Sequence, residues 1–165
     1  MRWRVCAALI ALLTLLAGCR SQPDRREDSY VLEEVAFVDD KAASLAVEGE
    51  CRLLPLIETP LIENGAKLGI TVVKPPAEGG GSATQNKLTV YITQVVPYVF
   101  GLRGGGSRVY ATLHVEDAKG AREREVVSTA GLGVNPFANL TVCDRLGRTT
   151  SDLGLKMMRW LQQTR

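Results

Sequence analysis

The clearest pattern in the chain is the alternation in RVYATLHVE (108–116). Val109, Ala111, Leu113 and Val115 fall on one face, while Tyr110, Thr112, His114 and Glu116 fall on the other. A period of two predicts a half-buried antiparallel strand. LTVYITQVV (88–96) carries a similar pattern, with Leu88, Val90, Ile92 and Val96 expected inward and Thr89, Tyr91 and Thr93 outward. DAKG (117–120) reads as a turn, and REREVVSTA (122–130) as a further strand whose charged start marks a sheet edge. YVLEEVAFV (30–38) alternates less cleanly and reads as a first strand, and ITVV (70–73) as the start of another.

Two segments follow a helical period instead. Between Lys41 and Leu68, Cys51, Leu54, Ile57 and Leu61 share one helix face. Pro55 and Pro60 interrupt this stretch, since an interior proline costs about 3 kcal/mol. Thr59-Pro60 is therefore read as a cap and first position of a separate short helix that Gly69 ends. From about Asn139 to the C-terminus, Cys143, Leu146, Leu153, Met157, Trp160 and Leu161 form one apolar stripe. Gly147 and Gly154 weaken that helix, and Gly154 suits close packing. The pattern predicts an α+β fold: an antiparallel sheet of about four or five strands against an interrupted N-terminal helical segment and a C-terminal helix.

The first residues follow a different logic. Arg2 and Arg4 precede Val5 to Ala17, an uncharged apolar run of about 13 residues where a membrane-spanning helix needs roughly 20. A basic head, a short apolar middle and small residues at the end describe a removable export signal. Leu16-Ala17-Gly18-Cys19 resembles the lipobox of bacterial lipoproteins. The resemblance implies cleavage after Gly18, diacylglyceryl attachment to the Cys19 sulfur and acylation of the new amino group. One acyl chain anchors only marginally, at about 0.8 kcal/mol per buried methylene, whereas two or three hold firmly. The expected organisation is a signal peptide at 1–18, a polar tether at 19–29 and one domain at 30–165.

Composition sharpens this picture. The chain has 20 Lys+Arg and 18 Asp+Glu, and loss of Arg2 and Arg4 with the signal leaves 18 against 18. A balanced surface gives no basic stripe for nucleic acid. With 45% hydrophobic and 5% aromatic residues, the core should be aliphatic. Cys6 leaves with the signal and Cys19 takes the lipid, so Cys51 and Cys143 remain. An exported protein can bridge them, closing a loop of about 92 residues worth roughly 4–5 kcal/mol in the chain-entropy model. Two buried free thiols are the alternative. The tail also resembles small uncharacterised envelope lipoproteins of Gram-negative bacteria, which share Cys-x-x-Leu and a later Trp-Leu, here Cys143, Leu146, Trp160 and Leu161.

Candidate chemistry is sparse. His114 is the one histidine, on an outward strand position with no nucleophile motif beside it. Glu33-Glu34 and Asp39-Asp40 are adjacent acids, which on a strand point to opposite faces. The glycine-rich stretches near 79–82 and 104–107 match neither a P-loop nor a dinucleotide fingerprint. No catalytic set, metal site or cofactor is expected. The remaining site candidate is PYVFGLRGGGS (97–107), where Tyr98, Val99, Phe100 and Leu102 flank a hairpin turn that would fold onto the core, dock a partner or dip into lipid. The expectation is a non-enzymatic structural or accessory subunit of an envelope assembly, held by lipid on Cys19. Arg20, rather than an aspartate, follows that cysteine, which in the family's sorting rule points to the outer membrane. The alternative is a binder of a small apolar ligand or lipid between sheet and helices.

Overall fold

The computed structural model describes residues 29–39, 42, 50–75, 86–99, 106–131 and 141–165. In chain order they form β1 (Ser29–Phe37), α1 (Leu53–Lys67), β2 (Thr71–Val73), β3 (Asn86–Val99), β4 (Gly106–Asp117), β5 (Gly120–Gly131) and α2 (Val142–Thr164). The five strands make one sheet in the order β2-β1-β3-β4-β5, and both helices pack against it. The α+β expectation holds, but the sheet is mixed. β1 runs parallel to both β2 and β3, and only β3-β4-β5 is antiparallel. The reason lies in the connection: α1 separates β1 from β2, and a helix between strands returns the chain to the same end, giving a parallel pair.

Two bulges account for strands whose alternation reads imperfectly. In β1 the register shifts between Leu32 and Glu34, so Tyr30, Leu32 and Val35 all reach the core. In β3 the shift lies between Ile92, opposite Ala111, and Gln94, opposite Tyr110. This turns Val95 inward against Val109 and leaves Val96, expected inward, opposite Arg108 on the other face. β4 needs no such correction: Val109, Ala111, Leu113 and Val115 are buried. β5 is an edge strand, as its charged start suggested.

α1 corrects a second expectation. It is one helix through Pro60, with no new start at Thr59. Pro55 lies in the first turn, where its missing N–H has no intrahelical acceptor to lose. Pro60 does remove an interior bond, and its ring becomes part of the surface that α2 packs on. A Cβ added to Gly154 would stand 3.0 Å from the carbonyl carbon and Cβ of Pro60 and 3.2 Å from the Leu61 nitrogen. Glycine is what permits this approach. Leu53, Ile57 and Leu61 from α1 meet Leu146, Leu153, Met157 and Leu161 from α2 over the sheet, all fully buried.

α2 starts on a capping box: the Asp144 N–H donates to Thr141 Oγ1 at 3.1 Å, and the Thr141 N–H donates to Asp144 Oδ2 at 3.0 Å. Its side toward β4 and β5 carries polar contacts, Ser107 Oγ with Thr149 Oγ1 and Ser128 Oγ with Asp152 Oδ2, each at 2.5 Å. Burial pushes the Asp152 carboxyl up, but hydrogen bonds from Lys156 and Ser128 outweigh it and hold the group below its ordinary value. At the start of both helices a disulfide joins Cys51 to Cys143, with Cα atoms 5.1 Å apart.

These contacts predict opposite signs for the same substitution in one helix. Gly154→Ala must push against Pro60 backbone and should lower the melting temperature. Gly147→Ala meets only Leu56 Cδ2 at 4.0 Å, so it should gain helix propensity of roughly 0.5–1 kcal/mol and raise it. The disulfide spans 92 residues. Replacing both cysteines with serine should lower the unfolding free energy by about 4–5 kcal/mol, read from denaturant midpoints at unchanged slope.

Candidate functional site

The parallel pairing of β1 gives the domain two distinct poles. At one pole lie the starts of β1, β2 and β3, with Ser29 opposite Thr71 and Tyr30 opposite Asn86. The β4–β5 turn reaches the same pole. There Lys119 Nζ and Arg122 Nη1 both donate to the Thr164 carbonyl at 2.9 Å, placing cations on the last carbonyls of α2. Arg122 also pairs with Asp117, and its guanidinium sits 5.9 Å from the centre of the Trp160 ring. The Tyr30 hydroxyl donates to Asp117 Oδ2 at 3.4 Å. Burial, reinforced by the Asp117 charge, raises the Tyr30 phenol above its ordinary pKa. This cluster closes the pole where residue 29 enters the sheet.

The opposite pole holds the ends of β3 and β5, the start of β4, and the starts of both helices with their disulfide. Val99 pairs with Gly106, and Gly106 with Gly131. β3 contains 14 residues, so its far end stands roughly 40 Å from the pole where the sheet begins. Of the hairpin-tip candidates, Tyr98 and Val99 complete β3, whereas Phe100 and Leu102 lie outside the described residues. Cys19 lies outside them as well. Tyr98 and Val99 end β3 at the far pole, remote from residue 29 at the start of β1.

The face of the sheet opposite α1 and α2 carries the lone histidine. His114 Nδ1 is 3.1 Å from Glu123 Oε1, and its ring meets Tyr91 edge-on with centroids 5.1 Å apart. The flanking positions are Thr89 on β3 and the cross-strand Glu123 on β5. Glu33 pairs with Lys87 at 2.6 Å. Among the described residues no group of three or more His, Cys, Asp or Glu is arranged to hold a metal ion. No helix among them is long and apolar enough to cross a membrane.

The layer between sheet and helices, where an apolar ligand was one expectation, is occupied by fully buried side chains including Leu88, Leu113, Leu153 and Met157. A groove does exist, on the outer side of the helix pair beside the disulfide. It encloses about 410 Å³ and is lined by Cys51, Arg52, Pro55, Leu56 and Pro60 from one side and Gly147 from the other, with Thr59 at its rim. Arg52 precedes α1 with φ 46° and ψ 59°, the only non-glycine residue at positive φ among those described. That backbone conformation costs an ordinary side chain of order 1–3 kcal/mol. Nothing in the sequence marks Arg52, because left-handed strain at arginine has no compositional signal. Glycine at 147 could be noticed in the helical stripe, but only the structure says that it opens a groove.

No family model matches this sequence, and no curated protein matches it. Solved structures give more distant likenesses. A minor lipoprotein from Acinetobacter baumannii aligns over 84% of this chain and 94% of its own at 12% identity, with a TM-score of 0.45. The PelC dodecamer from Paraburkholderia phytofirmans aligns over 79% and 88% at 13% identity and 0.45. Lipoprotein GNA1162 from Neisseria meningitidis aligns over 79% and 97% at 12% identity and 0.37.

Proposed function

We propose that this protein is a lipid-anchored, non-enzymatic accessory subunit of a bacterial cell-envelope assembly, tethered through Cys19 to the outer membrane. The observation that carries the reading is Leu16-Ala17-Gly18-Cys19 at the end of a short apolar run headed by Arg2 and Arg4. The disulfide supports it, because such bridges persist in oxidising compartments outside the cytoplasm. The non-enzymatic part rests on the poverty of chemistry: one histidine, half-buried and held by a carboxylate and an aromatic edge on the sheet face opposite α1 and α2.

Geometry adds a direction to this reading. Nine residues separate Cys19 from Ser29, ten Cα steps with a reach of at most about 35 Å, and they feed the pole closed by Asp117 and Arg122. On this reading the entry pole lies nearest the membrane and the disulfide pole faces away from it. A hairpin continuing from Val99 to Gly106 would meet a protein partner there rather than the lipid of its own anchor.

Mass spectrometry of the protein isolated from its host membranes tests the anchor. The expected product lacks residues 1–18 and carries acyl mass on an N-terminal Cys19, and Cys19→Ala leaves the chain uncut and unacylated. A membrane-associated product that retains residues 1–18 without acyl mass would remove the lipoprotein reading. Native mass spectrometry of the same extract tests the subunit role: a reproducible second polypeptide supports it, and a bare monomer counts against it.

A further inference from the structure

We propose that the groove beside the Cys51–Cys143 disulfide is a binding site for a long-chain fatty acid, with the acyl chain along the cleft between α1 and α2 and the carboxylate on Arg52. The floor is hydrocarbon: Pro55, Leu56 and Pro60 line it on one side, and Gly147 leaves depth on the other. Its volume of about 410 Å³ sits near the lower end of small-ligand sites, which run from about 300 to 1,000 Å³. That favours one acyl chain over a two-chain lipid.

The head-group end is supplied by Arg52. No hydrogen bond or ion pair engages its guanidinium among the described residues, although other arginines of the domain, such as Arg108 and Arg122, are held by intramolecular partners. Its backbone is simultaneously kept in a conformation that glycine would adopt at lower cost. Strained residues of this kind cluster at ligand sites, where the surrounding structure holds a side chain in place for an external partner. A planar guanidinium at the mouth of an apolar groove complements a carboxylate through two parallel hydrogen bonds.

The occupant is an acyl chain rather than a peptide for a structural reason. Both walls are helical and offer no strand edge, so a peptide's own N–H and C=O groups would be buried without a ladder to pair them. A hydrocarbon tail brings no such groups.

The test is photolabelling of the full mature protein in lipid nanodiscs with a diazirine analogue of palmitic acid, followed by peptide mapping. Label is expected in the peptides covering residues 51–60 and 147, displaced by unmodified palmitate. Two variants separate binding from folding. Arg52→Gly removes the guanidinium and relieves the positive φ, so labelling should fall by about tenfold while the melting temperature holds or rises. Gly147→Leu has room for its Cβ, with Leu56 Cδ2 the nearest atom at 4.0 Å, and should fill the groove and abolish labelling in a folded protein. Label spread over the rest of the surface, displacement by a zwitterionic lysolipid but not by palmitate, or labelling unchanged in both variants would overturn the proposal. The result is independent of whether a partner protein is found.

Discussion

A strand that pairs in parallel with both of its neighbours can be joined to neither by a tight turn. β1 is such a strand, and its position forces the rest of the layout. The chain must return from the end of β1 to its beginning before β2 can start, and α1 makes that return along the sheet. A helix laid there covers only part of one face, so a second helix is needed to seal the core over β3, β4 and β5. α2 fills that place at the other end of the chain. The two helices then approach so closely that position 154 has no space for a side chain, and the disulfide fastens their starts. Long-range contacts of this kind join the first and last thirds of the domain into one unit.

The same constraint separates the ends of the molecule. Because β1 and β3 are parallel, the chain enters the sheet at one pole and the β3–β4 connection leaves from the other. The entry pole is shut by charge: Asp117 receives Tyr30 and Arg122, and Arg122 with Lys119 holds the last carbonyls of α2. The far pole carries the disulfide, the Arg52 groove and the strand ends that lead into the hairpin. Under the proposed anchor at Cys19, the charged entry pole would be the held end, and the far pole, with its groove, would be the end left for a ligand or partner.

Much of this was legible in residue patterns. The clean alternation of Val109 to Val115 gave β4 and its buried face, and the Cys143-to-Leu161 stripe gave α2. Cysteine arithmetic gave the pair that the structure joins. What local pattern could not carry was anything decided by distant residues. Parallel pairing of β1 depends on where α1 returns the chain, and the bulge that turns Val95 inward depends on the register against β4. Pro60 reads as a helix start because proline propensity is local, while its tolerance inside α1 comes from packing against Gly154 on the other side of the chain. The Asp117 cluster draws its members from β1, the β4–β5 hairpin and α2, and Tyr30 already stands 87 residues from Asp117, so no motif announces it.

The proposed anchor at Cys19 would give the domain a polarity relative to the membrane, and energy transfer to the membrane surface measures it most directly. A donor dye would be placed at Ala118, in the exposed turn of the entry pole, or at Thr59, on the exposed rim of the groove, in acylated protein on vesicles carrying acceptor head groups. Clearly higher transfer from Ala118 than from Thr59 is the predicted result. Equal transfer from both positions, or higher transfer from Thr59, would contradict it.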